Sequence, residues 1–123
     1  MASRKGILIA EDENTIRTLL AALFEREHFT VYQAVDGLAA LELFEAHANH
    51  IALLITDLGL PKLGGVELIS ELKSLKRTIK VIAISGYGRD EVRTEVLNAG
   101  GDAFLPKPLV VKDLLQVVKR LLG

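Results

Sequence analysis

Three acidic residues in a row, Glu11-Asp12-Glu13, stand directly after a short aliphatic run, and Asp57 stands after another. Carboxylates brought close together repel, and one of them takes up a proton unless a cation neutralises the group. The cation that suits such a group is Mg²⁺, a hard ion that prefers oxygen ligands and keeps water positions open for a phosphate. The alternating acidic loop that binds calcium, D-x-D-x-D-G, is absent. Three further groups have the same placement after aliphatic runs. Ser85 offers a hydroxyl, Gly86 beside it leaves room for an incoming group, and Lys107 supplies a single positive charge. Together with Mg²⁺ these suffice for phosphoryl transfer, whose transition state needs positioning and charge stabilisation above all. An aspartate, ionised at neutral pH, can act as the nucleophile and form an acyl phosphate without a separate base.

These groups meet only if the fold delivers them to one edge. Short β-branched or aliphatic runs occupy residues 6–10, 30–34, 51–56, 80–84 and 103–105, with stretches of helical spacing between them. In the first such stretch Ile16, Leu19, Leu20, Leu23 and Phe24 share a face. The second carries Leu38, Leu41 and Phe44 behind Asp36, a suitable N-cap. Val66, Ile69 and Leu72 or Leu75 mark a third, and Val92 and Val96 a fourth that stops at Gly100. A fifth turns Leu114, Val118, Leu121 and Leu122 inward. Residues 51–55 are apolar throughout, as in a strand covered on both faces. Five β/α repeats predict an α/β fold: a five-stranded parallel sheet in the flavodoxin-like order 2-1-3-4-5, with helices on both faces. Ligands of such sheets lie at the carboxyl ends of the strands, where strands 1 and 3 diverge. That order sets Glu11 and Asp12 beside Asp57, and puts Ser85 and Lys107 on the same edge.

Composition narrows the partners. The 123 residues suit one domain, half of them are hydrophobic, and 15 basic against 16 acidic side chains give a net charge of −1. A nucleic-acid binder working through bulk charge would show a basic excess. With no cysteine there is no disulfide, thiolate nucleophile or Cys-based zinc site. No apolar run approaches a membrane span, and the first residues lack the apolar region of a signal peptide. The expectation is one cytoplasmic domain over residues 1–123, contacting neither membrane nor nucleic acid.

The chain resembles the receiver domain of two-component response regulators. Its motifs are Glu11-Asp12, then Asp57-Leu58-Gly59-Leu60-Pro61 with Gly64-Gly65 and Glu67-Leu68, then Ser85-Gly86 and Ala99-Gly100, and lastly Asp102-Ala103-Phe104-Leu105-Pro106-Lys107-Pro108. Each is weak alone, but the set in this order covers essentially the whole chain. The resemblance implies that Asp57 is the phosphoacceptor, that Glu11, Asp12, Asp57 and the Gly59 carbonyl hold Mg²⁺, and that Lys107 contacts the phosphoryl group. It implies a cis bond between Lys107 and Pro108, and X-Pro bonds are the ones in which cis costs little. Ser85 would move toward the phosphoryl group, Phe104 would turn into the vacated space, and the surface of helix 4, strand 5 and helix 5 would change. The implied partners are a histidine kinase or histidine phosphotransfer protein, a downstream effector protein or output domain, and in some settings a second, phosphorylated copy. On this view the chain is a signalling domain rather than an enzyme, able to catalyse its own phosphoryl transfer and slow dephosphorylation. Gly59 and Tyr87 would influence how fast the acyl phosphate hydrolyses. The sequence ends with the fifth helical stretch, so it reads as a stand-alone receiver or a portion of a longer regulator or hybrid kinase.

Other readings fare worse. A hydrolase of the haloacid-dehalogenase type places a second aspartate two residues after its nucleophile, and that position here is Gly59. A flavin or nucleotide binder wants a phosphate-cradling loop after the first strand, where three acids would repel phosphate. A degenerate receiver serving only as an interaction module would lack a site residue, and none is missing. His28, His47 and His50 receive no functional role, Gly65 reads as a backbone requirement, and Lys73, Lys76, Arg77 and Lys80 read as a solvated helix end.

Overall fold

A computed structural model describes residues 5–86 and 90–123. The strands are β1 (Gly6–Ala10), β2 (Thr30–Ala34), β3 (Ile51–Asp57), β4 (Lys80–Ser85) and β5 (Ala103–Pro106). The helices are α1 (Asn14–Arg26), α2 (Gly37–His47), α3 (Gly65–Leu75), α4 (Asp90–Ala99) and α5 (Val111–Leu122). All strand pairs are parallel, in the order β2-β1-β3-β4-β5. The expected sheet order is the one observed. β3, β4 and β5 each run one residue past the aliphatic run that marks them, so Asp57 and Ser85 are the last residues of their strands.

Side chains alternate across a strand, and this sorts the core into two layers. Ile7, Ile9, Leu53, Ile55, Ile82 and Ile84 pack with α1 and α5 through Leu20, Phe24, Leu114 and Val118. Leu8, Leu54, Val81 and Ala83 pack on the opposite face with α2, α3 and α4 through Phe44, Leu68, Leu72 and Val96. Continued by two residues, the first parity carries Glu11 and Asp57 to the α1/α5 side of the edge. The second carries Ser85 toward the α2–α4 side, together with Phe104, which pairs with Ala83.

Local chemistry fixes the helix ends that matter. Asp36 caps α2, its Oδ1 accepting the Ala39 N–H at 2.7 Å. Gly100 ends α4 with a φ of 107°, a conformation that glycine adopts without strain. Gly65 starts α3 hard against the end of β3: a Cβ there would lie 2.6 Å from the Asp57 carbonyl oxygen and 2.7 Å from Leu58 Cα. Only glycine lets α3 approach the strand end this closely.

Helical periodicity draws a stripe wider than the core needs. Leu19, Leu38 and Leu75, grouped by spacing with the inward faces, are exposed, and Leu121 and Leu122 are only half-buried. Two lysines of the presumed solvated helix end are tied down. Lys73 Nζ donates to the Ile79 carbonyl at 2.6 Å and pairs with Asp102 at 3.2 Å, while Lys76 Nζ donates to the Ala48 and Ile51 carbonyls, both at 2.8 Å. Long apolar stems let both ammonium groups reach carbonyls distant in sequence. His47 lies against the Tyr32 ring, with centroids 4.7 Å apart.

Candidate functional site

Residues expected to do chemistry converge at the carboxyl edge. Glu11, Asp12 and Asp57 each bring a carboxylate oxygen within 4.8 Å of the others. Glu11 is buried, Asp57 is half-buried and Asp12 is exposed. Lys107 Nζ donates to Asp57 Oδ2 at 3.1 Å and lies 3.8 Å from Glu11 Oε1. The Gly59 N–H donates to the other Asp57 oxygen at 3.2 Å. Ser85 is buried at the end of β4, and its carbonyl accepts the Lys107 N–H at 2.9 Å, which fastens the lysine's backbone to the neighbouring strand. The Lys107–Pro108 peptide is cis. Gly86 is exposed, and a Cβ there would come no nearer than 3.9 Å to Lys107 Cδ. Among the described residues, then, none crowds this position. Tyr87 lies outside the described residues. Phe104 sits apart from the carboxylates on the α4 side, with the Arg93 guanidinium 5.5 Å from its ring centroid.

The electrostatics follow from crowding. Burial pushes the Glu11 carboxyl above its ordinary pKa and the Asp57 charge adds to this, while the Glu13 N–H and Lys107 work against them. Burial alone would lower the pKa of Lys107, yet the hydrogen bond and charge of Asp57, helped by Glu11 and Glu13, raise it overall. The lysine stays a cation, and one lysine cannot neutralise three carboxylates. An all-oxygen donor set with a surplus of negative charge fits a hard divalent cation.

Gly65, expected as a backbone requirement, seats α3 against the Asp57 carbonyl. Sequence reasoning missed two other contributors. The Glu13 N–H holds Glu11 Oε2 at 3.0 Å. Arg17, half-buried in the first turn of α1, donates from Nη1 to the Glu11 carbonyl at 2.9 Å and from Nη2 to Asn14 Oδ1. A signal for Arg17 exists: a cation in a helix's first turn opposes the dipole and so calls for a partner.

Fold, edge and charge pattern define a phosphorylation-controlled signalling switch of the two-component kind, and comparison with known proteins agrees. The response regulator receiver domain family matches residues 7–119, and this chain belongs to it. Transcriptional regulatory protein SrrA of Staphylococcus aureus is 35% identical over 116 residues, which are 94% of this chain and 47% of that protein. The chain thus spans about half the length of the curated relatives it matches. A CheY-like receiver domain protein from Methanospirillum hungatei superposes with a TM-score of 0.87 at 31% identity, covering 96% of this chain and 93% of the other. A chain of the CheX–CheY–BeF3–Mg²⁺ complex from Borrelia burgdorferi gives 0.91 at 27%, covering 97% and 90%. Among the described residues no helix is long and apolar enough to cross a membrane.

Proposed function

We propose that Asp57 is the phosphoacceptor of a Mg²⁺-dependent phosphorelay switch spanning residues 1–123. The observation that carries this reading is Asp57 itself, bonded by Lys107 at 3.1 Å and within 4.8 Å of two further carboxylates. An Asp57 oxygen attacks the phosphorus of a phosphohistidine on a histidine kinase or phosphotransfer protein. The new P–O bond forms as the P–N bond breaks, and the histidine ring leaves with that electron pair. Glu11, Asp12, Asp57 and the Gly59 carbonyl hold Mg²⁺, which when bound offsets the repulsion between carboxylates and phosphoryl oxygens. Lys107 transfers its bond from Asp57 to a phosphoryl oxygen, and Ser85 and Gly86 meet the others. The Borrelia relative's structure contains beryllofluoride and magnesium, which supports testing the same mimic here.

The output step is a change of population between two arrangements, favoured by whatever binds one of them better. Ser85 moves toward the phosphoryl group, Phe104 turns inward, and the α4–β5–α5 surface presents itself to an effector, an output domain or a second copy. Slow loss of the phosphoryl group by hydrolysis resets the domain, which works in the cytoplasm.

Intact mass after incubation with acetyl phosphate tests the reading. The expected result is one phosphoryl adduct that needs Mg²⁺, is prevented by EDTA and is absent in Asp57→Asn. No adduct on the wild type in any condition, with beryllofluoride also failing to bind, would sink the proposal.

A further inference from the structure

α1 opens without the usual devices. Its first turn holds no acidic residue, and its N-cap, Glu13, makes no side-chain capping bond. Its fourth residue is Arg17, whose charge opposes the helix dipole. The guanidinium is turned back over the β1–α1 turn, where it bonds the backbone carbonyl of Glu11 at 2.9 Å and the side chain of Asn14. The same turn has two other ties: the Glu11 N–H donates to the Ala34 carbonyl at 3.0 Å, and the Glu13 N–H donates to Glu11 Oε2 at 3.0 Å. Asp12, the exposed member of the acidic group, lies between Glu11 and Glu13 and takes its position from theirs.

We propose that Arg17 is a positioning residue for the acidic site, holding the β1–α1 turn so that Glu11 and Asp12 stay within reach of one divalent cation shared with Asp57. This rests on the reading of the edge as a Mg²⁺ site. Three carboxylates within 4.8 Å push one another apart, and the chain segment that carries two of them is a turn rather than a strand. Arg17 resists that push through the backbone and Asn14, and itself takes up no carboxylate oxygen of Glu11, Asp12 or Asp57. A planar guanidinium suits the task because two of its N–H groups reach two acceptors at once from a fixed fork.

Calorimetric titration with Mg²⁺ tests the role in the wild type, Arg17→Met and Arg17→Lys, with thermal unfolding of each followed in EDTA. Methionine keeps an apolar stem and removes the donors. Arg17→Met is expected to bind Mg²⁺ about tenfold or more weakly, the usual consequence of losing a contact that orients a ligand. Arg17→Lys should recover part of this, since an ammonium lacks the fork. With acetyl phosphate, Arg17→Met should raise the Mg²⁺ concentration for half-maximal phosphorylation by the same factor, leaving the rate at saturating Mg²⁺ near that of the wild type. Wild-type affinity in Arg17→Met, or a lower saturating rate at unchanged affinity, overturns the proposal. If Arg17→Met is already unfolded in EDTA, Arg17→Lys decides, and full wild-type affinity there overturns it. A wild type that binds no Mg²⁺ removes the underlying reading before any Arg17 variant is made; a wild type that binds it beside an unaffected Arg17→Met removes only the positioning role.

Discussion

Burial holds the Glu11 carboxyl above its ordinary pKa of 4.5, and the Asp57 charge pushes the same way. A carboxyl with a raised folded pKa keeps its proton better in the fold than in the unfolded chain. Its contribution therefore favours the fold below the unfolded value and is lost as pH rises through the folded one. At neutral pH an ionised Glu11 is a burden on the metal-free domain that a bound cation removes. Two results are expected. Mg²⁺ affinity measured by calorimetry should fall as pH drops from neutrality toward the raised pKa of Glu11, because a protonated Glu11 must release its proton before it can bind the ion. Glu11→Gln, which keeps the shape and removes the charge, should raise the melting temperature in EDTA by roughly a few degrees while weakening Mg²⁺ about tenfold. A Glu11→Gln variant with wild-type Mg²⁺ affinity would show that Glu11 is not a ligand.

At the scale of elements, the site depends on how closely α3 and α4 lie against the strand ends. Gly65→Ala must displace the Asp57 carbonyl or tilt α3, since its Cβ would sit 2.6 Å from that oxygen. A cost of about 1–3 kcal/mol in urea unfolding is expected, with slower phosphorylation by acetyl phosphate. Unchanged stability and rate would mean that α3 shifts freely. The contact of Arg93 with the Phe104 ring, 5.5 Å to its centroid, is of the exposed kind worth about 0.5–1 kcal/mol. If Phe104 must turn for output, Arg93→Ala should make the unphosphorylated domain bind its effector about two- to fivefold better, as that energy converts to a population ratio. An unchanged affinity would detach Arg93 from the switch. These contacts also mark where sequence reading stops. The strands were legible because aliphatic runs and alternation are local, and so was the Asp36 cap. The true width of each helix's buried face was not, since Leu19 and Leu75 fit the helical period as well as Leu20 and Leu72 do. Lys76 was illegible for a different reason: its partners are backbone carbonyls, which carry no residue type to recognise, and Lys73 and Arg17 each have one such partner beside a side chain. Glu11, Asp12, Asp57 and Lys107 could be read because each stands at or just past the end of a strand, so the sheet order alone brings them together.

For the molecule as a whole, the phosphoacceptor role proposed for Asp57 raises the question of how a protein donor would reach it. Beside the acidic group, and sharing Glu11 and Lys107 with it, lies a cleft of about 230 Å³ between α1 and the β5–α5 turn. Ile16, Leu19, Leu20, Leu109 and Val111 line it, and Leu19 is 62% exposed at its rim. A large apolar side chain left in water beside the acidic edge is more informative than an exposed leucine elsewhere, because a macromolecule that docks over that edge would gain by covering it. Acetyl phosphate is too small to need that contact. Leu19→Glu should therefore leave stability within about 0.5 kcal/mol of the wild type, as an exposed substitution does. It should also leave the acetyl phosphate rate unchanged. Transfer from a histidine phosphotransfer protein active on the wild type should fall about tenfold or more, since a central apolar anchor carries much of an interface's energy. Loss with both donors would place Leu19 in the chemistry rather than in the docking of a protein donor. Loss with neither would move the donor's footprint off α1.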